Sequence, residues 1–231
     1  MARFIVAIDG GAGSGKSTTA KGVAKRLDFF YLDTGAMYRA AALKYIMKKG
    51  DPSSMDMEII KDIIAHTEID LRRSNGDIRV FLDGRDVSAE IRSLAVSELV
   101  SPVSAVPEIR AWMVGKQRAV AEGKNVVCEG RDIGTVVFRD AQVKIFMQAD
   151  LKVRARRRAL EMAGQNIKVE LARVYENLAY RDQYDSSRDH SPLKKADDAI
   201  VVDTTDLTIE EEISLVEKIV KNKLKLLVNS K

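Results

Sequence analysis

Residues 10–17, Gly10-Gly11-Ala12-Gly13-Ser14-Gly15-Lys16-Ser17, spell G-x-x-x-x-G-K-[ST] directly after the apolar stretch "RFIVAID" at 3–9. Glycines at this density let successive backbone N–H groups turn inward around an anion without side-chain clashes. A helix following the loop would present its positive end to the same anion. The chemistry that fits is capture of a nucleoside triphosphate by Gly10, Gly11, Ala12, Gly13, Ser14, Gly15, Lys16, Ser17 and Thr18. Lys16 would neutralise the β- and γ-phosphates and the Ser17 hydroxyl would hold Mg2+. The loop leaves the reaction open. A guanine-reading switch needs N-K-x-D, and the one Asn-Lys pair, Asn222-Lys223, continues as Leu-Lys. A nucleic-acid motor needs a longer chain, whereas a small-molecule kinase needs this core, an acceptor pocket and a lid.

Other stretches carry charge where charge is costly. In "CEGRDIGTVVF" (128–138), Glu129, Arg131 and Asp132 interrupt two apolar runs, which costs stability unless something satisfies them. "LDTGAMYR" (32–39) brings Thr34, Tyr38 and Arg39 to the start of a helix, where Thr34 is either a ligand or an N-cap. "RDQYDSSR" sets Arg181, Asp185 and Arg188 at i, i+4 and i+7, one face of a helix if the helix continues that far. Taken alone, that spacing is better explained by a solvated ion pair worth about 0.3–0.5 kcal/mol. Within 154–158, helical steps of about 100° put Arg154, Arg157 and Arg158 on one face and Arg156 on the other. Three guanidiniums so placed are either a solvated basic face or a lid over a transferring phosphoryl group.

The elements that must position these residues alternate. Strand, glycine turn and helix at 3–27 are followed by a strand at 29–33, a helix expected to close at Gly50, and helices at 93–101 and 107–122. "NVVC" and "QVKIFMQA" read as buried strands, 151–163 and 167–183 as helices, 199–204 as a last strand, and Thr208 with Glu211 as a capping box. Strands alternating with helices predict an α/β fold with a mainly parallel sheet covered on both faces. "TEIDLRR", "SNGD" and "IRVFLDG" (67–84) instead predict a hairpin turning at Asn75-Gly76, an insertion in that pattern. One cysteine in 231 residues, no secretory leader and no long apolar span predict a soluble cytoplasmic protein. Lys+Arg 38 against Asp+Glu 34 gives a net charge of +4, and the clustered arginines point to a polyanionic partner. Only 6% aromatic residues, with no basic-aromatic platform, argues against nucleic acid.

Together, "DGGAGSGKST", "LDTGAMYR", "DVSAEIR", "GRDIGTVVFRDA", "RDQYDSSR" and "ADDAIVVDTT" resemble, in order and over nearly the whole chain, the bacterial-type cytidylate kinases. The resemblance implies one P-loop kinase domain over 1–231, with a monophosphate-binding insertion at about 62–100 and a short helical lid at about 150–168. It implies ATP as donor, CMP and dCMP as acceptors, and Mg2+. It places Thr34, Tyr38, Arg39, Ser101, Arg110, Arg131, Asp132, Arg181, Asp185 and Arg188 around CMP. Within that set Arg39 and Arg131 match holders of the acceptor phosphate, and Arg181 and Asp185 match the pair near the ribose. Ser101, Arg110 and Asp132 match residues around the base, and Arg188 matches another base or pocket contact. Lys16, Arg131, Arg154, Arg157 and Arg158 would bear on the transferring group, and Glu129 would reach the metal through water. Gly11 stands where many members have proline and Glu129 where many have aspartate; neither removes a needed group. A carboxylate at Asp132 facing the cytosine amino group would meet a carbonyl in uracil, so CMP is expected over UMP. A monomer is expected. The rival readings are a kinase for AMP, UMP or shikimate, and a nucleic-acid-stimulated ATPase.

Overall fold

The computed structural model describes residues 3–49, 54–74, 77–164 and 169–229. The chain forms two compact units, one of Met1–Tyr31 with Lys124–Lys231 and one of Leu32–Gly123.

The first unit opens with β1 (Ile5–Gly10), buried along its whole length, and α1 (Lys16–Leu27). The turn between them is the phosphate loop, which ends at Gly15 with φ +90°, a left-handed conformation that disfavours any side chain. Strand β2 (Phe30–Asp33) carries the chain into the second unit. There α2 (Thr34–Met47), α3 (Met57–His66), the antiparallel strands β3 (Ile69–Ser74) and β4 (Asp77–Leu82), short β5 (Arg85–Asp86), α4 (Leu94–Ala105) and α5 (Pro107–Val120) follow. The hairpin pairs Ile69 with Leu82 through Ser74 with Asp77. Its turn at Asn75-Gly76, like the expected stop at Gly50, lies outside the described residues.

One departure from the sequence pattern has a clear physical cause. The expected helix at 93–101 continues through Pro102 to Ala105, because Val96, Leu99, Val100 and Val103 form one buried stripe that outweighs the missing proline N–H. In the second unit α2 and α5 pack on the hairpin and α4 packs on α2.

Back in the first unit come β6 (Val126–Gly130), a π-helical turn at Ile133–Val137, β7 (Val143–Gln148), α6 (Leu151–Gly164), α7 (Leu171–Ser187), β8 (Ile200–Asp203) and α8 (Ile209–Asn229). The five-stranded parallel sheet has the order β2-β6-β1-β7-β8. In it β1 pairs in parallel with β6 and β7, and β7 with β8. Val6, Ile8, Val127, Ile145 and Met147 build its core against Ala20, Val23 and Ala24 of α1 and Ile213, Val216 and Val220 of α8. The predicted capping box holds: Thr208 N–H donates to Glu211 at 2.8 Å and Glu211 N–H to Thr208 Oγ1 at 3.3 Å. Among the described residues no helix is long and apolar enough to cross a membrane.

Candidate functional site

In the first unit the parallel register brings Asp9 beside Gly130 and Gly10 beside Met147, so the phosphate loop and the segment Arg131-Asp132 leave the same carboxyl edge of the sheet. Ligands bind at such edges because loops and helix N-termini converge there. Gly10 is obligatory: a Cβ on it would stand 2.0 Å from the Met147 carbonyl oxygen.

Lys16 is buried, and its Nζ donates to the Gly11 carbonyl at 2.6 Å. Burial, and after it the Arg131 guanidinium, pulls its ammonium down to about 7, against the pull of Glu129 and Asp9. A buried lysine beside an arginine is short of negative charge, which a triphosphate would supply. At the start of α1, Ser17 Oγ donates to Glu129 Oε2 at 2.8 Å, and Tyr31 OH donates to the other carboxylate oxygen. Hydroxyl and carboxylate are hard oxygen donors, as Mg2+ requires. Among the described residues no three His, Cys, Asp or Glu side chains cluster as a cage. The set fits an ion that keeps waters and takes its other ligands from phosphates.

Arg131 and Asp185 meet: Nε donates to Oδ2 at 2.8 Å, and Arg188 stands 3.6 Å from the other oxygen. Burial pushes the Asp185 carboxyl up, but Arg131 and Arg188 outweigh it and hold it below the usual carboxylate value. Arg188 lies just past the end of α7 with extended backbone, so the helix carries Arg181 and Asp185 but stops before the third position. Asp132 is buried at the head of the π-helical turn.

The three arginines predicted for one lid face go to three sets of partners. Arg154 donates to the Ala12 and Ala149 carbonyls and pairs with Asp182 at 2.6 Å. Arg157 donates to the Thr204 and Leu207 carbonyls and to Glu212. Arg158 pairs with Glu161 one turn on in the same helix. The part of the lid at 165–168 lies outside the described residues.

In the second unit Asp33 caps α2, accepting from Ala36 N–H at 2.8 Å. The capping reading of Thr34 therefore gives way: Thr34 is the buried first residue of the helix, not its cap. Arg39 donates to Ser97 Oγ at 2.9 Å. Arg110 stacks over the Tyr38 ring at 5.4 Å and donates to the Ser104 carbonyl, while the Ser101 carbonyl accepts from Ser104 Oγ.

Sequence reasoning passed over Asp9. Its carboxylate oxygens accept from Ile133 N–H at 2.7 Å and Gly134 N–H at 2.8 Å, tying the end of β1 to the turn after Asp132. Burial raises this carboxyl to about 6 despite those two bonds. A carboxylate closing an otherwise apolar strand was the available signal.

The family model described as cytidylate kinase matches residues 6–223. The chain is 50% identical over 220 residues to a cytidylate kinase of Caldanaerobacter subterraneus subsp. tengcongensis, covering 95% of this chain and 96% of that one. It is 45% identical to one of Lactobacillus johnsonii, covering 95% of each. A crystal structure of an uncharacterized protein from Eubacterium ventriosum shares the fold, with a TM-score of 0.51 at 12% identity over 96% of this chain and 99% of that one.

Proposed function

The chain belongs to the cytidylate kinase family, and from that premise we propose how its residues divide the reaction. The protein is an ATP-dependent CMP kinase that moves the γ-phosphate of ATP to CMP, giving ADP and CDP. Use of dCMP, a requirement for Mg2+, and work as a cytoplasmic monomer without nucleic acid belong to the proposal.

Residues 10–18 cradle the ATP phosphates, chiefly through backbone N–H groups other than that of Ala12, and Lys16 swings from the Gly11 carbonyl to the anion. Lys16 and Arg131, two cations close enough for one to depress the other, favour the charge of the transferring phosphoryl group. Arg154, Arg157 and Arg158 add positive potential from α6. Ser17 and, through water, Glu129 would hold Mg2+, which would supply positive charge to offset that of the triphosphate. On the acceptor side, Arg39 and Arg131 hold the CMP phosphate, and Arg181 with Asp185 the ribose. Thr34, Tyr38, Ser101, Arg110, Asp132 and Arg188 surround the nucleoside, Asp132 accepting from the cytosine amino group. Phosphoryl transfer then needs alignment and charge neutralisation, with no side-chain nucleophile.

The observation that supports this reading most is the Lys16 loop and the Arg131–Asp185 pair at one sheet edge. An acceptor panel of CMP, dCMP, UMP, AMP and shikimate, with ADP release as readout, tests it. CMP is expected to be turned over far faster than UMP, and comparable rates would sink the assignment. Asp132→Ala should cost CMP more than ATP; equal loss of both would mark a folding defect instead.

A further inference from the structure

Ala12, in the outer turn of the phosphate loop, is held on three sides by α6 and α7. Its N–H donates to Asp182 Oδ1 at 3.2 Å. Its carbonyl accepts from Arg154 at 2.9 Å, and the same guanidinium nitrogen reaches Asp182 Oδ2 at 2.6 Å, closing a triangle. Its buried methyl packs with Ala155 of α6 and with Val174 and Leu178 of α7, a cluster separate from the main core. The fit is close: a Cβ on neighbouring Gly11 would stand 3.0 Å from Asp182 Oδ1 and 3.2 Å from Arg154.

A phosphate loop works only if its N–H groups are already aimed before the anion arrives, since ordering them on binding would be subtracted from the affinity. The Gly10–Gly15 run is conformationally permissive and cannot aim itself. We propose that Asp182 is a positioning residue for ATP, acting through Ala12 and Arg154 to fix the outer turn of the phosphate loop. One turn further along α7, Asp185 grips Arg131. The helix therefore carries two carboxylates with separate duties, Asp182 toward the donor loop and Asp185 toward the acceptor arginine. The proposal rests on the reading of residues 10–18 as the ATP site and is independent of which acceptor is used.

The test is direct titration calorimetry of ATP–Mg2+ and, separately, of CMP on wild type, Asp182→Asn and Asp182→Ala, together with KM and kcat. Loss of one charge-assisted hydrogen bond should weaken ATP about tenfold in Asp182→Ala. Asp182→Asn, which keeps an acceptor for Ala12 N–H but loses the charge opposite Arg154, should fall between alanine and wild type. KM for ATP should rise with kcat held closer to wild type, and CMP affinity should be unchanged. Unaltered ATP affinity in both variants overturns the proposal. So does equal weakening of ATP and CMP, since a general disturbance of α7 would reach Asp185 as well. Wild-type protein that binds ATP but not CMP would contradict the acceptor assignment while leaving the Asp182 comparison intact.

Discussion

Arg131 and Asp185 are 54 residues apart in sequence, yet Arg131 Nε donates to Asp185 Oδ2 at 2.8 Å, with side-chain exposures of 21% and 8%. The bond holds the guanidinium close enough to Lys16 to depress its ammonium, while Nη1 donates to the Gly130 carbonyl at 3.4 Å. Asp185→Ala should raise KM for CMP by between about tenfold and a hundredfold, because it strands a charge that the carboxylate now orients. KM for ATP should stay near wild type. The lowered Asp185 carboxyl also sets a sign: its contribution to stability is present above the ordinary carboxylate value and is lost as pH falls through the lower folded value. The stability difference between wild type and Asp185→Asn, measured by urea unfolding, should hold above about pH 5 and shrink only in stronger acid.

Lys16 predicts a proton uptake. With its ammonium at about 7, lowered by burial and by Arg131, the side chain is mostly neutral at pH 8 before ATP binds. A bound triphosphate restores the ordinary preference for the charged form, so ATP binding at pH 8 should take up close to one proton and at pH 6 almost none. Calorimetry in buffers of different ionisation enthalpy reads this directly. Lys16→Met should abolish the uptake and lower kcat by about a hundredfold or more.

Asp9 predicts an acid limb in the activity profile. Its carboxyl titrates at about 6, and the groups facing it are Lys16 from α1 and Asp132 from the turn after β6. Protonation removes charge from the acceptor of the Ile133 and Gly134 N–H groups and loosens the turn that carries Asp132. kcat/KM for CMP should therefore fall as pH drops through about 6. In Asp9→Asn the value should be lower at neutral pH and flat across the same window. The raised value also means that this one group makes the fold less stable as pH rises from about 4 to 6, the opposite sign to Asp185. A wild-type profile without that limb would remove Asp9 from the acceptor side.

What could be read from the sequence was what chemistry writes locally. The glycine loop, Lys16 and Ser17 are contiguous, and the strand–helix alternation that gives the parallel sheet is a pattern of nearest neighbours. The bounds of the second unit were not legible, because α2 and α4 have the same local texture as helices that cover the main sheet, and only their packing assigns them. Arg154, Arg157 and Arg158 share a face by helical arithmetic. Their partners, however, come from the phosphate loop, from 204–207 with Glu212, and from the helix itself, none of which periodicity reveals. Asp182 lay inside a stretch already singled out, one residue from Arg181, and what distinguishes it is a backbone N–H 170 residues away.

Glu212 shows how such a distant contact can be tested for its weight. It is 2% exposed, accepts from Thr19 Oγ1 at 2.9 Å and pairs with Arg157 at 3.2 Å. Burial pushes its carboxyl up, against the pull of Thr19 and Arg157. Removing it leaves the Thr19 hydroxyl and a half-buried guanidinium short of a partner, so Glu212→Ala should destabilise the protein by about 2–3 kcal/mol. The same carboxylate stands where a side chain on Gly15 would go, 2.5 Å from a Cβ there. Gly15→Ala is therefore opposed twice, by Glu212 and by its φ of +90°. Adding Glu212→Ala to Gly15→Ala should relieve the first obstacle and leave the second. The double variant should thus lose less stability than the two single losses added, while its ATP affinity stays far below wild type because the loop can no longer curl. Full recovery of ATP binding in the double variant would show that the clash alone, and not the backbone conformation, demands glycine at that position.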